Sequence, residues 1–267
     1  MITSSSNEKI KHIAALNKKV ALRREEDVFL AEGVRLFEEI PVQMIKEAYL
    51  TKEAAGTLKE RGHFDIDALF DTGRTEYVSE EVFAKISDVV TPQGALAVVR
   101  RFSYKREELV AGKGEPLVMI AVDIQDPGNL GTILRTAEAA GASGVALIGD
   151  CADIYGPKVV RSTMGAIFRL PFVQEEEIQG LCGFLKSRRV KIYAAALDQA
   201  ESFADRDYRA GTAFMVGNEG RGLKKEHIKE ADGGVFIPMA GRTESLNASV
   251  SAALLMYEAA RQRGYGK

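Results

Sequence analysis

Thiols, imidazoles and long apolar runs are all scarce in this 267-residue sequence, and each shortage closes off a class of function. Its two cysteines, Cys151 and Cys182, stand far apart, which excludes a disulfide scaffold and a cysteine-based zinc site. Its three histidines, His12, His63 and His227, are scattered, so a histidine metal centre is not expected. No stretch approaches the roughly 18 consecutive apolar residues of a membrane span. The first residues, Met1 to Lys9, lack the apolar core of a signal peptide, and the expected compartment is the cytoplasm. Net charge is also small: 36 basic against 38 acidic residues give −2. That argues against a protein coating nucleic acid indiscriminately, but leaves room for a local basic face. What remains is an ordinary globular composition, 46% hydrophobic and 28% charged, sufficient for one or two domains.

Basic residues do cluster. Residues 9–24 contain Lys9, Lys11, Lys18, Lys19, Arg23 and Arg24 and no acidic side chain. Ile10, Ile13, Leu16 and Val20 recur there at helical spacing, predicting one amphipathic helix with a basic face. That face suits RNA phosphates, and a solvated helix surface explains it equally. Short strands and helices follow: strands at 29–33, 45–50, 76–78 and 96–99, with helices from Val34 and from Ser79. The stretch from Lys105 to Pro116 is charged, contains glycine and ends in proline, which reads as a linker between domains at 1–105 and 117–267.

Beyond the linker, strand and helix alternate. Leu117 to Ile124 is an apolar run broken only by Asp123, as expected of a buried parallel strand. Helices are expected over 130–140, from Pro157 and over 245–263, with strands at 144–148, 190–197, 212–216 and 235–238. The succession predicts an α/β fold, a mostly parallel sheet with helices on both faces. Ligands of such sheets bind beyond the carboxyl ends of the strands.

Three loops at those ends carry the candidate chemistry. The first, Asp126 to Arg135, has a Pro-Gly turn, Asn129 near a helix start and Arg135 six residues on. A helix cap and a surface arginine account for the same residues. The second, Val216 to Leu223, holds Gly217, Asn218, Glu219, Gly220 and Gly222. It permits close backbone approach to a ligand, or simply a tight turn. It matches neither a phosphate loop nor the Gly-x-Gly-x-x-Gly dinucleotide fingerprint. The third, Ile237 to Val250, leads from a strand through Pro238 and Gly241 to Ser245, Leu246, Asn247 and Ser249, and then to a helix rich in small residues. Plain N-capping explains its polar groups; the small residues allow close packing within the chain or across a dimer.

Taken together, in this order and spacing, the three segments resemble the signature motifs of the SpoU branch of the SPOUT superfamily, the TrmH-like RNA ribose 2′-O-methyltransferases. The resemblance covers about residues 117–262 and rests on Asn129, Arg135, Gly217 to Gly220, Gly222, Pro238, Gly241, Ser245 to Asn247 and Ser249. The N-terminal hundred residues look like the family's small α/β substrate-binding module, similar to ribosomal RNA-binding proteins. The resemblance implies a trefoil knot, S-adenosylmethionine as methyl donor, and a homodimer whose site borrows from both subunits; it implies neither metal nor membrane. It assigns the donor to Leu197, Gly217, Asn218, Gly220, Ile237, Pro238, Ser245, Leu246 and Asn247. It assigns catalysis to Arg135, with Asn129, Glu219, Ser245 and Asn247 in support. RNA contacts fall to Lys9, Lys11, Lys18, Lys19, Arg23 and Arg24, which Arg161 and Arg169 extend. Large-subunit ribosomal RNA is the expected substrate, with transfer RNA, or a non-catalytic RNA-binding assembly role, as alternatives.

Overall fold

The computed structural model describes residues 1–112, 114–196 and 200–264. By compactness the chain falls into two units: Met1–Phe102 with Tyr155–Phe168, and Ser103–Ile154 with the chain from Arg169 onward.

The first unit runs α1 (Glu8–Lys18), α2 (Val20–Glu25), β1 (Val28–Glu32), α3 (Val34–Glu38), β2 (Ile45–Leu50), α4 (Lys52–Arg61), α5 (Ile66–Asp71), β3 (Thr75–Tyr77), α6 (Glu80–Ile86) and β4 (Ala95–Arg100). Its strands lie in the order β1-β4-β2-β3, antiparallel except for the parallel β2–β3 pair. Ile10, Ile13 and Leu16 of α1 meet Phe83 and Ile86 of α6 over Leu30, Tyr49 and Val98 of the sheet. The apolar spacing in α1 therefore reports a real core face.

The single helix expected over 9–24 is broken at Lys19, whose backbone is extended (φ −110°, ψ 104°). Arg23 explains the break. Its side chain is buried, and its Nη1 donates to the carbonyls of Leu16 at 2.8 Å and Asn17 at 3.2 Å. These are the carbonyls that a helix end leaves without partners. Arg23 is thus a helix-end clasp and is removed from the expected RNA-contacting set. Tyr155 and Phe168 return to this unit because their rings pack on Phe29 of β1, with centroids 5.0 and 6.0 Å away.

The second unit opens with a 3₁₀ turn, Arg106–Val110, inside the stretch read as a linker. Leu109 is fully buried there, and Arg106 forks onto Glu175, so the turn is packed structure. Then follow β5 (Leu117–Val122), α7 (Pro127–Ala139), β6 (Gly144–Ile148), α8 (Pro157–Ser162, packed with the first unit), β7 (Phe172–Glu175), α9 (Ile178–Ser187), β8 (Lys191–Ala195), β9 (Ala200–Ser202), β10 (Thr212–Val216), α10 (Lys225–Lys229), β11 (Gly233–Phe236) and α11 (Ala248–Gln262). Seven strands form one sheet in the order β7-β6-β5-β10-β8-β11-β9, and every pairing is parallel. All of β5 and β10 is buried, which explains their unbroken apolar sequences. Among the described residues no helix is long and apolar enough to cross a membrane.

Candidate active site

The site begins where β5 ends. Asp123 adopts a left-handed conformation, φ 53°, unusual for a residue other than glycine. Three hydrogen bonds hold it there. Its amide donates to Ile148 O at 3.0 Å, and its Oδ1 accepts from Asp150 N at 2.8 Å. Its carbonyl accepts from Asn218 Nδ2 at 2.9 Å. Asp123 was not singled out from sequence; an acidic residue closing an apolar strand just ahead of a Pro-Gly turn was the available signal. Three residues on, Asp126 caps α7 by accepting from Asn129 N at 2.8 Å, with Pro127 in the first turn. Capping therefore fixes Asn129 at the carboxyl edge of the sheet.

The side chain of Asn129 joins the three loops. Its Nδ2 donates to Glu219 Oε1 at 2.9 Å. Its Oδ1 accepts from Asn247 Nδ2, also at 2.9 Å. Asn247 in turn caps α11, its Oδ1 accepting from Ser249 N at 2.9 Å and from Ser249 Oγ at 2.6 Å. Ser249 Oγ also lies 3.4 Å from Asn129 Oδ1, but one hydroxyl proton serves the shorter bond. A carboxylate only accepts, so Glu219 dictates which end of the Asn129 amide faces Asn247. Residues separated by 90 and 118 positions are thus locked in one orientation.

Asn218 builds the second loop. Its Oδ1 accepts from Gly220 N at 3.0 Å and Arg221 N at 3.1 Å, while Gly222 N donates to Asn218 O at 2.9 Å. Gly222 has φ +65°. Gly217 lies where the loop crosses itself: a Cβ there would sit 2.5 Å from Gly222 C and 2.6 Å from Leu223 N. Beside this turn opens a cavity of about 590 Å³. Of the residues expected at the donor site, Gly217, Asn218, Gly220, Ile237, Ser245 and Leu246 line it. Pro238 and Asn247 are not among its lining residues, although both belong to the loop that forms one wall. Leu197 lies outside the described residues. Ala195, Ala196, Met239, Glu244, Ser251 and Leu255 also line it. The sequence offered little to mark these six, since most are small or apolar residues indistinguishable from core.

Ser245 is exposed at the cavity wall, and Arg135 is exposed on α7. Six residues of helix advance roughly 9 Å and leave two side chains about 120° apart. Within one chain, therefore, Arg135 is not brought to Asn129. No hydrogen bond or ion pair engages the Arg135 side chain among the described residues. Burial pushes the Cys151 thiol up to about 11, and its Sγ points at the carbonyls of Ala121 and Ile148, so it is not a poised nucleophile. Among the described residues no group of three or more His, Cys, Asp or Glu side chains is placed to hold a metal ion.

The expected RNA-contacting residues differ in their engagement. Lys9 pairs with Glu76 and Lys11 with Glu8, both at 2.7 Å. Lys18, Lys19 and Arg24 are exposed. Arg161 pairs with Asp88 at 3.3 Å, and Arg169 forks onto Glu138.

Residues 116–257 match the SpoU rRNA Methylase family, and residues 7–97 match the MRM3-like substrate binding domain. The chain belongs to the SpoU methylase family. This SpoU chain is 34% identical to the 23S rRNA (guanosine(2553)-2′-O)-methyltransferase RlmP of Bacillus subtilis (strain 168), over 96% of this chain and 97% of that protein. It is 38% identical to the 23S rRNA (uridine(2479)-2′-O)-methyltransferase of Streptomyces viridochromogenes, over 53% and 51% of the two chains. Its fold superposes with a TM-score of 0.83 on the AdoMet-bound rRNA methyltransferase from Sinorhizobium meliloti, at 29% identity and covering 97% of each chain. The SpoU methyltransferase AviRb from Streptomyces viridochromogenes, in complex with AdoMet, gives 0.82 at 27% identity, covering 98% of this chain and 100% of that one.

Proposed function

We propose that this protein methylates a ribose 2′-hydroxyl of large-subunit ribosomal RNA, with S-adenosylmethionine as donor. The observation that carries the reading is the Glu219–Asn129–Asn247 network standing at the carboxyl edge of the sheet beside the 590 Å³ cavity. The cavity fits the donor on the grounds of this chain: a glycine crossing at Gly217 whose Cβ would collide with backbone, and walls of small residues and loop backbone able to read an adenine edge. Gly217, Gly220, Ile237, Ser245 and Leu246 would hold it. When bound, the donor supplies a methyl on a sulfonium already activated for displacement, so the protein's task is alignment.

Arg135 forks onto the target ribose or its phosphate and holds the 2′-oxygen in line. It cannot serve as the base, because a guanidinium stays protonated in proteins. The hydroxyl proton passes to water or an RNA phosphate as the carbon–oxygen bond forms, while Glu219 stays engaged in orienting Asn129. The first unit supplies the RNA-docking module, supported by the match of residues 7–97. A trefoil threading is supported by the return of the chain from β11, beyond β8, to α11 packed over β10 and β5. Two free cysteines support a cytoplasmic setting.

Arg135 acts on a partner's site. Val250, Leu254 and Tyr257 form an exposed apolar stripe along α11 at 45%, 38% and 47% exposure, and α11 packs against α7, which carries Arg135. Apolar residues repeated at this helical spacing on an outer surface suit a second copy of the chain. Leu254→Asp is expected to yield monomers that retain the melting temperature of an isolated subunit and have lost methyl transfer, as read by sedimentation and assay. A variant that stays dimeric, or a monomer of full activity, would sink the shared-site reading.

The reading itself is tested with labelled S-adenosylmethionine and, separately, large-subunit rRNA and bulk tRNA from cells lacking this protein. Alkali-resistant label at one rRNA position is expected. Label in tRNA alone would keep the chemistry and overturn the substrate. No label and no donor binding would leave an RNA-binding scaffold.

A further inference from the structure

In the turn that closes the donor cavity, the amides of three successive residues, Gly220, Arg221 and Gly222, are already engaged by Asn218. Gly220 N and Arg221 N both donate to Asn218 Oδ1, and Gly222 N donates to Asn218 O. An anion arriving at this wall therefore finds no nest of amides. It finds one guanidinium. Among the described residues Arg221 is the only cation lining the cavity, the other charged groups there being Glu219 and Glu244. Glu219 is engaged with Asn129. Arg221 is exposed, and among the described residues its side chain makes no hydrogen bond or ion pair. Its five donors are unengaged, while the backbone that carries them is fixed.

We infer that Arg221 is a substrate-positioning residue that grips an RNA phosphate next to the ribose being methylated. The inference rests on the proposed RNA 2′-O-methylation. A ribose whose 2′-oxygen is presented to the donor cavity carries a phosphate on each side, within one nucleotide of the reacting atom. A planar fork at the cavity wall can take two oxygens of such a phosphate at once and fix the sugar's orientation. The other anion that could reach this wall is the carboxylate at the amino-acid end of the donor. Both ligands are anions, and the experiment separates them.

Arg221→Ala, Arg221→Lys and wild type are compared on a large-subunit rRNA fragment at several salt concentrations, with donor affinity measured separately by calorimetry. Because Arg221 is exposed, the melting temperature should not move, and this is checked first. In Arg221→Ala the KM for RNA is expected to rise about tenfold or more. The slope of log affinity against log salt should fall by roughly 0.7 to 1, the loss of one phosphate contact. Donor affinity should stay within about twofold. Arg221→Lys, which keeps the charge but not the fork, should restore the salt slope and only part of the KM. An unchanged KM and slope for RNA would overturn the inference while the methylation reading stands. Weakened donor binding with unchanged RNA binding would reassign Arg221 to the donor's carboxylate, and so overturn it too. A wild-type protein that binds neither donor nor RNA would remove the reading and the inference together.

Discussion

Replacing Arg135 by alanine should lower the turnover of methyl transfer by about 10²–10³-fold while leaving donor affinity within about twofold. The expectation follows from placement. Arg135 is exposed on α7, away from the cavity of its own chain, so its removal strips nothing from the donor walls or the core. What is lost is the hold on the target sugar at the moment of in-line attack. Arg135→Lys sharpens the test, because a lysine keeps the charge, loses the fork and has a lower pKa. Positioning requires a pH–rate profile of unchanged shape with a reduced plateau. A profile displaced in the direction of the weaker base would make the guanidinium the proton acceptor and defeat the present mechanism.

Gly217→Ala carries the second large effect. The added methyl would lie 2.5 Å from Gly222 C and 2.7 Å from Gly222 O, atoms of backbone that cannot swing aside like a side-chain end. Either the 217–222 turn opens or Leu223 shifts, and both deform the cavity wall. Overpacking of this kind costs about 1–3 kcal/mol. The melting temperature should fall by roughly 2–10 °C, and donor binding should weaken at least tenfold by calorimetry. Gly220→Ala is the control for stability: its Cβ meets nothing nearer than Asn218 Oδ1 at 3.7 Å, so its melting temperature should match wild type. A Gly217→Ala protein that bound donor as tightly as wild type would show that the crossing does not shape the cavity.

Continuous apolar runs made the inner strands legible from sequence. Gly144–Ile148 and Thr212–Val216 are buried strands with the bounds that their composition implied; Ile45–Leu50 keeps its expected bounds too, although Lys46 and Glu47 interrupt its apolar sequence and are only half-buried. The segments that escaped notice had weaker signals. The short β9 strand is only partly covered, so its Ala-Glu-Ser sequence shows no run. In α9 the glycines at 180 and 183 interrupt the composition of a helix whose core face is nonetheless Ile178, Leu181, Cys182 and Leu185. At the site, residue types were readable and their partnerships were not. Nothing local in the chain announces that Glu219 will meet Asn129 across 90 positions; only the parallel order β5-β10 makes them neighbours. Arg23 misled for a related reason. A guanidinium folded back onto carbonyls of the preceding helix has the same sequence signature as one reaching for phosphate.

The self-contained turn around Asn218 has a thermodynamic consequence. The amides of Gly220, Arg221 and Gly222 are satisfied, its crossing is fixed by Gly217, and its foot is tied to the left-handed Asp123 at the end of β5. The conformational entropy of ordering that wall is therefore lost once, when the chain folds, and not again at each catalytic cycle. A donor enters against a surface already in its final shape. Its arrival is governed by diffusion and its departure by contacts, and the wall is no moving lid.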